Sequence, residues 1–197
     1  MRAAPPPPLV LASASPRRQQ LLRMLGLDFR AVAPDIDEVR RTGEPPDQYV
    51  IRLAREKATA VAAREPEAVV LAADTTVTLE GSVFEKPRTP EEAREFLQRL
   101  SGRTHHVMTA VAVARGTRLE HALDVTAVTF RPLPEEMIAD YVATGESMDK
   151  AGGYATQGMG AVLVERIEGD FFGVMGLPLR LALDLLARFG RPYRFTR

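Results

Sequence analysis

The sequence contains no cysteine and no tryptophan. The first absence excludes disulfides, thiolate metal sites and cysteine nucleophiles. Aromatic residues make up only 6% of the chain, too sparse for the stacking platforms that hold single-stranded nucleic acid. An excess of either charge is missing too, because 26 Lys and Arg face 26 Asp and Glu. A basic surface for general nucleic-acid binding is thereby excluded, and any phosphate ligand must be held by a local cluster. No apolar run approaches the ~20 residues that span a bilayer. Met1-Arg2 followed by Leu9 to Ala14 imitates a signal peptide, but its apolar part is too short and Pro5 to Pro8 interrupt it. Residues 1–8 are expected to form a flexible proline-rich tail, and the protein is expected in the cytoplasm. Lysine is nearly absent: Lys57, Lys86 and Lys150 are the whole set, and every other cation is Arg. A lysine kept against such a bias is a candidate for work that needs a compact charge on a flexible stem rather than a planar fork. Chance is the plain alternative.

What is present reads as an α/β protein. The 197 residues suffice for one domain with a sizeable core or for two small lobes around a cleft. Residues 9–13 read as a strand and 16–25 as a helix, with Ser15 as N-cap, Pro16 at the first helical position and Gly26 beyond the last turn. Phe29 to Ala33 is a short strand before the acidic loop Pro34 to Glu38. Asp47 is expected to cap a helix running to about Arg64. Ala68 to Ala73 reads as a buried strand ending in Asp74-Thr75-Thr76, and the pattern continues through Val77 and Leu79 to a turn at Glu80-Gly81 and a returning segment at Ser82–Phe84. Thr89-Pro90-Glu91-Glu92 is a capping box for a helix to Leu100. Strands follow at Val107–Ala114 and Asp124–Phe130, then a helix at Pro134–Ala143 and a glycine-rich segment at Asp149–Gly160. Ala161 to Ile167 is a strand turning at Glu168-Gly-Asp170 into Phe171–Met175. Pro178 opens an amphipathic helix to Phe189. Alternating helices and strands give a mixed twisted sheet flanked by helices, with residues 9–197 as a single domain.

Several of these segments carry chemistry. Ser13 to Leu22 places two arginines, Arg17 and Arg18, at a strand-to-helix junction. Free backbone N–H groups and the helix dipole there already favour an anion. The bland reading, an N-capped surface helix with solvated arginines, is equally consistent with this segment alone. Lys57 shares a helix face with Val50, Leu53, Ala54 and Val61, so it either snorkels outward or meets an anion. Asp74, at the end of an apolar strand, occupies the place where open α/β sheets bind ligands. An Asx turn is its structural alternative. Glu38 and Asp74 together could hold a divalent cation that retains waters and adds phosphate oxygens. Pro87 restricts Lys86 to an extended backbone. Gln157, with donors and an acceptor, suits the reading of a base edge. The three histidines lack metal-motif spacing, and no Walker motif, dinucleotide fingerprint or nucleophile elbow is present.

In this order the segments resemble the Maf family of nucleoside triphosphate pyrophosphatases. The matching stretches are Leu11-Ala-Ser-Ala-Ser-Pro-Arg-Arg18, Tyr49 to Lys57, Ala73-Asp-Thr75, Glu85-Lys-Pro87, Leu100-Ser-Gly102, Val107 to Val111, Asp149-Lys-Ala-Gly152, Gln157-Gly158 and Gly176-Leu-Pro178. The resemblance implies an elongated α/β fold of inosine-triphosphatase type, with two lobes around a central cleft. It implies hydrolysis of a nucleoside triphosphate to the monophosphate and pyrophosphate with a divalent cation, Mg²⁺ or Mn²⁺. Asp74 matches the position treated as proton acceptor. Polar cleft positions fall on Ser13, Arg18, Glu38, Lys57 and Lys86, and specificity positions on Arg17, Thr75 and Gln157. The Arg17-Arg18 pair looks like the branch acting on dTTP and UTP. The branch acting on 7-methyl-GTP tends to place an aromatic after the proline. A homodimer is an expectation drawn from the family alone. The rivals are a nucleotide-binding regulator of cell division that releases no pyrophosphate, and a pyrophosphatase for 7-methyl-GTP or other purine nucleotides.

Overall fold

The computed structural model describes residues 5–195. Of the expected tail, residues 1–4 lie outside the described part and residues 5–8 form no regular element. The Pro8 carbonyl accepts a hydrogen bond from Val69 N at 2.8 Å, and Pro7 O accepts one from Arg191. Six strands follow one hydrogen-bonded order, β2 (Arg30–Val32), β1 (Leu9–Ala12), β3 (Val69–Leu79), β5 (Thr104–Arg115), β6 (Arg118–Phe130) and β7 (Val164–Glu168), and a seventh, β4 (Ser82–Phe84), pairs with β3. Parallel and antiparallel pairs both occur, so the sheet is mixed, as expected. The chain divides into two compact units. The first comprises residues up to Asp74, Ala110–Leu123 and those from Gly176 on, and the second comprises Thr75–Thr109 and Asp124–Met175.

In the first unit β1 (Leu9–Ala12) pairs in parallel with β2 (Arg30–Val32) and with β3 (Val69–Leu79). All four residues of β1 are buried, which is why the sequence shows a continuous apolar run there instead of alternation. Helix α1 (Pro16–Met24) buries Leu21 and Leu22, each contributing roughly 1.5–3 kcal/mol. It stops where Gly26 turns to φ 67° and its N–H bonds Arg23 O, a conformation that a side chain would disfavour. Ser15 stands at the N-cap without a capping side-chain bond; its own N–H donates instead to Ser13 Oγ at 3.1 Å. Helix α2 (Pro46–Ala62) begins two residues earlier than expected, with Pro45 rather than Asp47 as N-cap and Asp47 inside the first turn. There the Asp47 carboxylate favours the helix dipole rather than capping it. Helix α6 (Leu179–Arg188) buries Leu179, Ala182, Leu185 and Leu186 on one face.

In the second unit β3 continues into a hairpin with β4 (Ser82–Phe84). Its two-residue turn has Glu80 at φ 50° and Gly81 at φ 79°, the positive angles that a tight right-twisted hairpin demands. Helix α3 (Pro90–Leu100) is capped by Thr89, whose hydroxyl accepts from Glu92 N. Strands β5 (Thr104–Arg115) and β6 (Arg118–Phe130) are each longer than expected. Helix α4 (Glu135–Ala143) follows. The core gathers Val77, Phe84, Leu97, Leu100, Val128, Phe130, Ile138 and Leu163. His105 lies fully buried among them, bonded through Nε2 to Tyr154 OH at 2.7 Å. Burial lowers its pKa to about 4, so it is a neutral core histidine.

Three expectations are corrected here. Asp74 does not end a strand, because β3 runs unbroken to Leu79; the apolar run stops there, but the extended backbone does not. Residues 161–163 belong to a 3-10 turn (Met159–Leu163), and β7 is confined to Val164–Glu168. Phe171 to Val174 form a helical turn, α5, capped by Asp170 Oδ1 accepting from Gly173 N. In that turn a local cap outweighs the strand preference of two phenylalanines.

Candidate active site

The first unit brings six of the singled-out residues together, Ser13, Arg17, Arg18, Glu38, Lys57 and Asp74. β1 ends at Ala12 while its neighbour β3 runs on past Leu71, the register partner of Leu11. Asp74 therefore lies just beyond the carboxyl end of the parallel pairing, although it sits inside its own strand. It is only 7% exposed. Lys57, 5% exposed, projects from the face of α2 that also carries the buried Val50, Leu53, Ala54 and Val61. Its Nζ contacts Asp74 Oδ1 at 2.6 Å and Glu38 Oε1 at 3.0 Å. Of the two fates open to a lysine in an apolar stripe, the structure has it meeting carboxylates. The loop that carries Glu38 is tied to α2 because Tyr49 OH donates to Glu38 O at 2.9 Å. Arg52, on the same helix, clamps Glu44 at 2.6 Å.

At the other side of this group stands the start of α1. Ser13 Oγ accepts from Ser15 N at 3.1 Å and from Arg18 Nη1 at 3.3 Å. Arg18 Nε donates to Gly176 O at 2.8 Å. The arginine is thereby oriented by two partners, and its charge acts on Asp74 and Glu38. Arg17, half-buried one position earlier, adds a second positive charge beside it.

Burial dominates the electrostatics of Asp74. It pushes the carboxyl above the usual carboxylate range, Lys57 and Arg18 pull it back in part, and Glu38 pushes it up further. Burial likewise pulls Arg18 below its ordinary value, against the attraction of Asp74; a guanidinium remains charged throughout. A carboxylate with a raised pKa, held beside fixed cations, is suited to accept a proton. Among the described residues no three His, Cys, Asp or Glu side chains gather into a metal cage. Glu38 and Asp74 share one ammonium, so they are near neighbours. Two hard oxygen donors fit a cation that completes its shell with water and phosphate oxygens.

The remaining candidates belong to the second unit. Thr75 is half-buried next to Asp74, and its hydroxyl accepts from Thr109 Oγ1 at 3.0 Å. Lys86 is exposed between the buried Phe84 and Pro87. The backbone before it is fixed by Gly152 N donating to Glu85 O at 3.1 Å. Gln157 is exposed on a loop whose next residues are held by Glu146, which accepts from Met159 N at 3.1 Å and Gly160 N at 2.8 Å. Sequence reasoning missed Tyr49, Thr109 and Glu146 as supports of the singled-out residues. Tyr49 falls within the matching stretch that ends at Lys57. Thr109 and Glu146 carry no local signal, since a threonine in a strand and a glutamate after a turn are ordinary. A groove of about 880 Å³ in the first unit, lined by Ile36, Arg41, Ile51, Arg55 and Leu119 among others, contains none of the site residues. It uses the helical face opposite Lys57.

Comparison with known proteins adds the following. The family model described as Maf-like protein matches residues 8–189. A protein of Escherichia coli strain K12 named dTTP/UTP pyrophosphatase is 51% identical over 182 residues, covering 92% of each chain. One of the same name from Symbiobacterium thermophilum is 48% identical over 184 residues, covering 93% of this chain and 95% of that one. A Shigella flexneri protein named nucleoside triphosphate pyrophosphatase is 51% identical over 182 residues, again covering 92% of both. Among solved structures, the Ham1 protein of Staphylococcus aureus aligns with a TM-score of 0.49 at 16% identity, over 92% of this chain and 96% of that one.

Proposed function

Because this chain belongs to the family of Maf-like proteins, we propose that it is a hydrolase splitting dTTP and UTP into the monophosphate and pyrophosphate. Relatives named for that activity match it along nearly its whole length at about half identity. The observation that carries the reading at the level of chemistry is the buried Lys57 in contact with both the buried Asp74 and the exposed Glu38. Arg18 lies electrostatically coupled to the same carboxylates. A triphosphate brings several negative charges, and this group supplies cations beside a proton acceptor.

In the reaction, water attacks the α-phosphorus and the bond to the bridging oxygen of the β-phosphate breaks. Pyrophosphate leaves with the bond electrons, and the attacking water gives up a proton. Asp74 accepts that proton or aligns the water that loses it. Its carboxylate is held by the Lys57 ammonium, so its position is set before substrate arrives. Arg18, fixed by Ser13 and Gly176, faces charge developing on phosphate oxygens. Lys86 contributes a further cation. Glu38 and Asp74 would hold a magnesium or manganese ion, which supplies neutralisation of the departing pyrophosphate. Arg17, Thr75 and Gln157 read the base.

No helix is long and apolar enough to cross a membrane among the described residues. A cytoplasmic location accords with the lack of cysteine. Neutral net charge argues against nucleic acid as a partner. The homodimer rests on the family and is checked by light scattering on the purified chain.

The test is a panel of nucleotides with Mg²⁺ or Mn²⁺, assayed for pyrophosphate. dTTP and UTP should turn over fastest, and Asp74→Asn should keep its thermal transition while losing about 10²–10⁴-fold in kcat. Nucleotide binding without pyrophosphate release would favour a regulatory role instead. Near-normal release by folded Asp74→Asn would remove Asp74 from the chemistry.

A further inference from the structure

In the second unit the exposed Gln157 sits in a short segment that is fastened on both sides to one cluster at the end of α4. Before it, Ala155 N donates to Tyr141 OH at 3.1 Å. After it, Met159 N and Gly160 N donate to the two carboxylate oxygens of Glu146, at 3.1 Å and 2.8 Å. Tyr141 OH in turn donates to the same carboxylate, so the two anchors are joined. Glycines make the fit possible. A Cβ on Gly158, at φ 111°, would lie 2.2 Å from Glu146 Oε1, and one on Gly160 would lie 2.4 Å from Ala155 O and 2.6 Å from Tyr141 OH. Glu146 is itself held: its N–H donates to Thr144 Oγ1 at 3.2 Å, and its carbonyl accepts from Lys150 Nζ at 2.6 Å. Burial alone would raise the Glu146 pKa, but the bonds from Gly160, Tyr141 and Met159 and the Lys150 charge bring it below the ordinary value. The carboxylate is therefore ionised at neutral pH, where hydrogen bonds to it are strongest.

We propose that Glu146 is a positioning residue for Gln157: with Tyr141 it ties the backbone on both sides of that glutamine to the end of α4, so that Gln157 meets the nucleotide from an ordered segment. The proposal deepens the pyrophosphatase reading and rests on its assignment of Gln157 to the base. A segment that must be ordered when the ligand arrives charges that entropy to the affinity, and one ordered beforehand does not. Here the ordering comes from main-chain bonds, so it sets the place of the Gln157 backbone and leaves the amide free to turn toward the base. Lys150 belongs to the same device, since it fastens the Glu146 carbonyl. Because Gln157 is assigned to the base and not to the reacting phosphate, the loss on releasing it falls on binding and spares the chemical step.

The experiment is a double-mutant cycle on UTP hydrolysis with Glu146→Ala and Gln157→Ala. Glu146→Ala should raise KM about tenfold with kcat nearly unchanged. In the Gln157→Ala background the same change should leave KM where it was, because the residue it positions is gone. Glu146→Gln, which keeps one acceptor oxygen, should give a smaller rise in the same direction, and it carries the comparison if the alanine variant does not fold. Amide hydrogen exchange on the ligand-free protein supplies a readout apart from turnover: Ala155, Met159 and Gly160 should exchange faster in Glu146→Ala while Val128 in the core stays slow. An unchanged KM, a loss confined to kcat, an equal KM rise with and without Gln157, or unaltered exchange at these amides overturns the proposal and leaves the pyrophosphatase reading intact. A Gln157→Ala protein with the wild-type KM defeats the assignment of Gln157 to the base, and this inference with it.

Discussion

Lys57 and Asp74 form a buried ion pair whose two members have different tasks. A carboxyl with a raised folded pKa holds its proton more tightly when folded, so ionising it opposes folding as pH rises through that pKa. Lys57 limits this cost by lowering the Asp74 pKa. Removing the ammonium moves that pKa further up. Since Asp74 acts when ionised, activity falls as pH drops through its pKa, and the acidic limb lies above the range of an ordinary aspartate. Lys57→Met is expected to shift the limb of kcat/KM to still higher pH, with a loss of about tenfold or more at neutral pH. A pH–rate profile checks this, and an unmoved limb would separate Lys57 from the carboxylate's titration. This pair was legible because a lysine interrupting Val50, Leu53, Ala54 and Val61 is chemically conspicuous. Thr109 was not legible, because β-branched residues populate strands for their shape alone.

Elements were legible where a local signal decided them. Helix α3 follows its cap as written, with the Thr89 hydroxyl bonded to Glu92 N at 3.2 Å. Where tertiary pairing decides, the sequence misleads. β3 outruns its apolar stretch because β4 pairs with its far end, Val77 opposite Phe84. The polar triplet Asp74-Thr75-Thr76 looked like a strand end and is a strand interior. The glycine-rich segment after Asp149 shows why its glycines are there. Gly152 has φ 74°, and an added Cβ would lie 2.9 Å from Val77 Cγ2 on β3. Gly152→Ala is therefore expected to destabilise by about 2 kcal/mol or more, combining left-handed strain with overpacking. Chemical denaturation should show a lower midpoint with an unchanged slope, and a change within about 0.5 kcal/mol would show that the turn yields.

At the scale of the whole molecule, the division into two compact units is written into strands rather than linkers. Three of its four boundaries, Asp74/Thr75, Thr109/Ala110 and Leu123/Asp124, fall inside β3, β5 and β6, and the fourth, Met175/Gly176, falls in the short connection between α5 and α6. Autonomous domains are more often joined by exposed flexible segments. Heating is expected to give one cooperative transition with equal calorimetric and van't Hoff enthalpies. Two resolved transitions would make the units independent domains.

The scarcity of lysine has a practical outcome. Lys57 is shut away with its carboxylates and Lys150 is folded onto the Glu146 carbonyl at 2.6 Å, which leaves Lys86 as the lysine open to solvent. An amine-selective fluorophore would thus have Lys86 as its one open lysine, the chain's α-amine being the other group that it meets. Protection of that position by added nucleotide would give a direct optical titration of occupancy, independent of turnover.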